Sequence, residues 1–232
     1  MLTGPQAPPV AAAEVFGDRI DLATAYANFL ATAGVERGLL GPREADKIWD
    51  RHLLNCAAVA SLIPAGDRVC DVGSGAGLPG LVVAIIRPDV RMVLLEPLLR
   101  RTRFLDEAVD LLELTNTSVV RGRAEEHAAM NAGSVLARAV APLDRLAAWA
   151  LPLLRSDGQL LAMKGDTART ELEAAEPQLR QLGAQEWELI MLAVSGAQST
   201  HVIRVKAGSV PGTASPGRVA GAGRGRGDGG RL

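Results

Sequence analysis

The residues best suited to chemistry lie in Val69-Cys-Asp-Val-Gly-Ser-Gly-Ala-Gly-Leu-Pro-Gly80, an apolar strand that carries Asp71 and runs into glycines at 73, 75, 77 and 80. Glycines at 73, 75 and 77 let the backbone take positive φ and approach a ligand, and the spacing predicts a helix from Leu78 to Ile86 whose amides face the same ligand. This is the pattern of a nucleotide-cofactor turn. The register Gly75-x-Gly77-x-x-Gly80 also satisfies the dinucleotide fingerprint, so an NAD-dependent oxidoreductase stands as an alternative. Asp71 separates the two: a carboxylate just before the first glycine repels a pyrophosphate but attracts an ammonium or sulfonium. S-adenosyl-L-methionine carries both cations and is the predicted cofactor.

Two further segments extend this site. Glu96 ends the apolar run Met92-Val-Leu-Leu-Glu96, where a carboxylate can accept both ribose hydroxyls, a device that NAD-binding proteins share. Arg121-Gly-Arg-Ala-Glu125 offers a short backbone turn and a carboxylate that can meet an adenine edge, or equally a solvated loop.

The elements that must position these residues alternate. Strands are predicted near 68–73, 91–96, 117–121, 134–140 and 158–164, separated by helical stretches, which gives a mainly parallel sheet covered on both faces. Glu186 to Val194 and Thr200 to Lys206 form a closing antiparallel hairpin around Ser195-Gly-Ala-Gln-Ser199. The result is an α/β, Rossmann-like, seven-stranded sheet of the class I methyltransferase layout. Helical spacing over Ala11 to Leu30 and Pro42 to Leu62 places a helical cap before it. Residues 1–10 are Pro-rich and predicted to be disordered, 11–206 form one domain (cap 11–66, core 67–206), and 207–232 are a disordered Gly/Arg-rich tail.

Composition narrows the classes. At 232 residues, 48% hydrophobic and net charge −1, the chain can bury a core, and its overall charge says nothing for nucleic acid. There is no membrane-length apolar run and no secretory signal, which predicts a cytoplasmic protein with no membrane partner. Cys56 and Cys70 suggest neither a disulfide nor a metal site.

The basic residues therefore matter by position. A helix starting near Leu98 buries Leu98, Leu105, Val109 and Leu112 and turns Arg100 and Arg103 outward, with Arg101 at the flank of the stripe. Arginines in a first turn oppose the helix dipole, and Arg100 and Arg101 lack an acid three or four positions ahead, so they are candidates to bind RNA phosphates. Arg103 has Asp106 and Glu107 within reach. Arg121, Arg123, Arg138 and Lys164 are expected on the same carboxyl edge of the sheet. Arg138 interrupts an apolar strand, so it must be paired, with Asp71 or Glu125, or face a cleft. Lys164 ends the fifth strand and poses the same choice, and His52 is read as a helix-capping or core-edge residue.

Asp71-Val-Gly-Ser-Gly-Ala-Gly-Leu-Pro-Gly80, Leu94-Leu-Glu-Pro-Leu-Leu-Arg-Arg-Thr-Arg-Phe-Leu105, Ala137-Arg-Ala139 and Met163-Lys-Gly165 together closely resemble the small-subunit ribosomal RNA methyltransferase G family, also called glucose-inhibited division protein B. The resemblance runs from about Trp49 to Val205 and departs from the family at Glu96-Pro97, where Asp-Ser is frequent, and at Arg100, where Lys is. It implies a bacterial 16S rRNA (guanine-N7)-methyltransferase acting on one guanine, guanine 527, in the 16S rRNA or small ribosomal subunit. It further implies that Gly73, Leu78, Ala124, Glu125 and Arg138 line the cofactor and that His52 serves the substrate side.

The residues agree with that chemistry. No Asn/Asp-Pro-Pro-aromatic sequence follows the fourth strand to grip an exocyclic amine, and neither cysteine sits in the setting of a cytosine-C5 nucleophile. Guanine N7 presents a lone pair and loses no proton, so transfer needs alignment and not a general base. A monomer without metal is expected. A noncatalytic rRNA-binding assembly factor and a ribose 2′-O methyltransferase using Lys164 are the remaining alternatives.

Overall fold

The computed structural model of the chain describes residues 7–128, 130–194 and 196–208. Residues 1–6 of the predicted N-terminal disorder, Ser195 in the hairpin turn, and the tail from 209 onward lie outside the described residues.

Seven strands form one sheet: β1 (Arg68–Val72), β2 (Arg91–Glu96), β3 (Thr117–Arg121), β4 (Ala132–Arg138), β5 (Leu154–Lys164), β6 (Glu186–Leu192) and β7 (Thr200–Lys206). Their order is β3-β2-β1-β4-β5-β7-β6. The first five run parallel, and β7 is antiparallel to both β5 and β6. Strand order reverses between β1 and β4, which opens the crevice at their carboxyl ends where α/β sheets bind ligands.

Apolar side chains leave the central strands alternately to the two faces. Val69, Met92, Leu94, Leu136 and Leu161 pack with the cap and with α4 (Gly80–Ile86) and α5 (Leu99–Leu111). Cys70, Leu95, Val135, Ala137 and Leu160 pack with α6 (Leu143–Ala150) and α7 (Ala168–Gln181). Both cysteines are buried free thiols. No helix among the described residues is long and apolar enough to cross a membrane.

Four local expectations are corrected. The first helix starts at Val10, inside the stretch expected to be disordered, and Gly17 at φ +49 splits the cap's first run into α1 (Val10–Phe16) and α2 (Ile20–Phe29). The second run changes pitch repeatedly, with a wide π turn at Ile48–Leu53 that buries Trp49, His52 and Leu53 before the short α3 (Leu54–Ala57). Strands β4 and β5 begin at Ala132 and Leu154, earlier than their glycines suggest, because a register shift between Ala132 and Ser134 absorbs Ser156-Asp157-Gly158. Leu98 is 46% exposed, since it precedes α5 in extended conformation, and Phe104 is buried there instead, stacked on Phe29 at 4.7 Å.

Candidate active site

The chain leaves β1 through Gly73, Gly75 and Gly77 at φ +67, +58 and +94. Only glycine takes these conformations freely, and a Cβ at Gly73 would also press on Val140 at 3.1 Å. The loop's polar groups are tied into the fold. Gly73 N donates to Leu95 O (2.8 Å), Gly77 N to Ser74 O (2.7 Å), and the Ser74 hydroxyl to Asp71 O (2.8 Å). The cap joins in: the buried Tyr26 hydroxyl donates to Ala76 O at 2.7 Å.

Asp71 stands behind this loop. It is 1% exposed, and its Oδ2 accepts the Gly80 amide at 3.1 Å, so the first amide of α4 faces Asp71 and not the cleft. The predicted helix from Leu78 accordingly starts at Gly80, where a Cβ would sit 2.6 Å from that oxygen. Asp71 Oδ1 is buried without a partner. Burial pushes the carboxyl up to about 7, opposed by the Gly80 amide, Ser74 and the Arg138 charge.

Glu96 is placed alike. At 1% exposed, it accepts the Gly75 amide on Oε2 and the Leu98 amide on Oε1, both at 3.0 Å, with the Arg101 guanidinium at 3.7 Å. Each oxygen binds one loop amide and keeps a further lone pair with which it can accept a hydroxyl. Arg101, half-buried at the flank of α5, faces Glu96 and the cleft.

Two lobes open on either side of Gly73. One, about 200 Å³, is lined by Val72, Gly73, Leu95, Pro97, Gly122, Arg123, Ala124, Glu125, Val140 and Trp149. The other, about 260 Å³, is lined by Leu39, Leu40, His52, Gly73, Ser74, Gly75, Ala76, Leu78, Arg101, Arg138 and Ala139. The first suits a flat apolar ring with a carboxylate at its edge, and the second a short charged chain. Arg138 and Ala139 also line an adjoining groove of about 380 Å³ that includes Arg51, Asn55, Lys164 and Asp166.

Arg138 thus stands between cleft and groove. Its guanidinium donates to Cys56 Sγ (3.0 Å) and Arg51 O (3.3 Å) and meets His52 Nδ1 at 3.0 Å. A guanidinium only donates, so His52 Nδ1 accepts and Nε2–H points to Glu44 Oε2 at 3.1 Å. Burial, then the Arg138 charge, lowers His52 to about 4 and keeps it neutral near pH 7. The expected Arg138 pairing with Asp71 or Glu125 is not formed, because the cap's carbonyl, thiol and imidazole take its donors.

Lys164 is paired: Nζ lies 2.6 Å from Glu171 Oε1 and 2.8 Å from Ala141 O. Arg100, Arg103, Arg121 and Arg123 are exposed. Glu107, expected near Arg103, binds Arg37 instead (2.6 and 3.0 Å). Burial raises both cysteine thiols, which disfavours the thiolate a nucleophile needs.

Gly73, Gly75, Leu78, Ala124, Glu125, Arg138 and His52 are brought to the cleft, whereas Asp71, Gly77 and Glu96 support its loop from behind. Sequence reasoning missed Trp149, Val140, Leu39, Leu40, Glu44 and Tyr26. Tyr26 is the chain's one tyrosine, and that was the available signal.

A mainly parallel seven-stranded sheet with a β6–β7 hairpin, a glycine loop after β1 and an acid closing β2 defines the class I S-adenosylmethionine-dependent methyltransferase fold. The rRNA small subunit methyltransferase G family model matches residues 19–201, and the chain belongs to that family. It is 54% identical over 208 residues to ribosomal RNA small subunit methyltransferase G of Streptomyces coelicolor, covering 88% of this chain and 87% of that one. With the Thermobifida fusca protein of the same name it shares 60% over 173 residues, covering 74% and 73%. Among solved structures, M. jannaschii TYW2 in complex with AdoMet has a similar fold (TM-score 0.52, 14% identity, 65% of this chain and 72% of that one). So does P. horikoshii TYW2 in complex with MeSAdo (0.53, 14%, 67% and 62%).

Proposed function

We propose that this chain transfers a methyl group from S-adenosyl-L-methionine to N7 of one guanine in 16S rRNA, guanine 527 by the family resemblance. The observation that carries the reading is the cleft folded around Gly73, one lobe apolar and one charged, with Arg138 shared between it and the adjoining groove.

When bound, S-adenosylmethionine supplies an electrophilic methyl group on a cationic sulfur. Val72, Leu95, Ala124, Val140 and Trp149 would hold the adenine, with Glu125 at its amino edge; Ser74, Gly75, Ala76 and Leu78 would hold the methionine end. Asp71 supports the fit, because a buried carboxylate with an unpartnered oxygen favours a cation nearby. It acts through its field across the loop and not by direct contact.

The residues of the chain orient and exclude water. Guanine N7 offers its lone pair without losing a proton, so no side chain has to act as a base. Arg138, held by the cap, orients the incoming nucleotide, and its alignment accounts for most of the rate. Arg100, Arg103, Arg121 and Arg123 supply phosphate contacts at the rim. Neutral His52 and paired Lys164 position neighbours and move no proton. Residues 11–206 act as one domain, monomeric, cytoplasmic and without a metal.

The test is transfer of labelled methyl from S-adenosylmethionine to unmethylated small subunits and to deproteinised 16S rRNA, followed by nucleoside digestion. The expected product is 7-methylguanosine from at least one substrate. A ribose-methylated nucleoside, or no transfer while the cofactor binds, overturns the reading.

A further inference from the structure

At the amino ends of the parallel strands, on the side of the sheet away from the glycine loop, lies a cavity of about 480 Å³, larger than either lobe of the cleft. Arg68, Arg91, Arg155, Asn116, Asn131 and Thr117 are in its wall, and no aspartate or glutamate lines it. Arg68 and Arg91 are the first residues of β1 and β2 and are register partners, so two like charges stand side by side on adjacent strands about 4.8 Å apart. Both are exposed, and among the described residues neither has a carboxylate partner.

The nearby acids leave Arg68 and Arg91 uncompensated: Arg155 takes both Asp67 and, through Nε at 2.7 Å, Asp157. Asp67 is buried and held by Arg155 (3.2 Å), the Ser134 hydroxyl (2.7 Å) and the Arg68 backbone amide (2.9 Å). Asp89 binds Arg87 and the Gly66 amide. Directly opposed like charges destabilise a sheet. This pair persists beside a third arginine, which Asp67 and Asp157 fix in place, so three arginines line one hollow and two of them have no carboxylate partner among the described residues. Guanidinium forks suit phosphate oxygens.

We propose that Arg68, Arg91 and Arg155 form a phosphate-binding site on the amino edge of the sheet, distinct from the methyl-transfer cleft. The phosphate comes either from an RNA backbone reaching round the sheet or from a free nucleotide, whose size matches the cavity. The site depends on no feature of the cleft.

The test uses the full chain with R68Q/R91Q and, separately, N131D, which puts a negative charge in the wall at a left-handed residue that aspartate tolerates. Arg155 is left alone, because its loss would strand buried Asp67. Binding of AMP, pyrophosphate and a 16S rRNA fragment is measured against salt, with S-adenosylmethionine affinity and thermal unfolding as controls. If the phosphate is RNA's, both variants weaken RNA binding several-fold, and R68Q/R91Q lowers the salt slope by about 1.4 to 1.8. If it is a free nucleotide's, AMP or pyrophosphate binds the wild type and neither variant, while RNA binding is unchanged. Unchanged RNA affinity together with no AMP or pyrophosphate binding to the wild type overturns the site. Cofactor affinity and methyl transfer at saturating substrate stay as in the wild type, so failure here is distinguishable from failure of the methyltransferase reading.

Discussion

The interior of the cleft and the amino edge of the parallel sheet handle charge differently. Inside the cleft at the carboxyl edge the charged groups are engaged, Glu96 by two amides and Arg101, Arg138 by Cys56, Arg51 and His52, Lys164 by Glu171, while Arg100, Arg103, Arg121 and Arg123 stand exposed at its rim. At the amino edge Arg68 and Arg91 stand together without carboxylates. Engaged groups are preorganised and suit chemistry that depends on alignment. Unengaged arginines suit binding of a polyanion. Two buried atoms at the carboxyl edge lack a partner, Asp71 Oδ1 and Arg101 Nε, and they mark where charge complementarity is left for a ligand.

The sharpest way to break this contrast is Arg138→Ala. Losing the group that orients the nucleotide should lower single-turnover methyl transfer about a hundredfold and leave S-adenosylmethionine binding within a few-fold; an unchanged rate removes Arg138 from the account.

Gly80→Ala tests the loop's anchor. Its Cβ would crowd Asp71 and Leu94, for a cost of about 1 to 3 kcal/mol in denaturant unfolding and weaker cofactor binding. Wild-type stability would show that the loop has room to relax.

The buried pair of titrating groups can be separated by pH. His52 binds fewer protons in the fold than outside it between about 4 and its ordinary 6.5, so it adds stability as pH rises through that window. Asp71 binds more protons in the fold between its ordinary 3.8 and about 7, so it removes stability as pH rises. In the wild type the two slopes largely cancel between about pH 4 and 6.5. Asp71→Asn should leave stability rising with pH, and His52→Asn should leave it falling, by up to a few kcal/mol by linkage. Parallel profiles for all three proteins would refute both assignments.

The smallest effect is expected from Tyr26→Phe. It removes the one hydrogen bond to Ala76 O and should cost about 0.5 to 1.5 kcal/mol, together with a modest loss of cofactor affinity. Full stability would mean that water replaces the hydroxyl.

Much of this was legible beforehand because the period-2 strands and the glycine spacing are local signals. Strands β1, β2, β3 and β7 fall within a residue of expectation. What the sequence could not show is where a carboxylate faces. Asp71 and Glu96 have the right spacing for a ligand, yet both bind amides of the loop they follow or support, since buried acids seek the nearest donors. Arg138 was legible as a charge needing a partner. Its partners come from the cap, 82 to 87 residues away, a distance over which no local pattern carries information. Trp149 escaped notice because a tryptophan on an amphipathic helix is ordinarily core, and only the fold brings α6 beside Gly73.

The most direct test of the central claim, transfer by alignment without a base, is the single-turnover rate of methyl transfer to unmethylated small subunits at saturating S-adenosylmethionine, followed across neutral pH. The rate should stay level from about pH 6 to 8.5, since guanine N7 loses no proton. A rate that rises tenfold per pH unit, or a bell, would require an acid or base in the chemical step and contradict it.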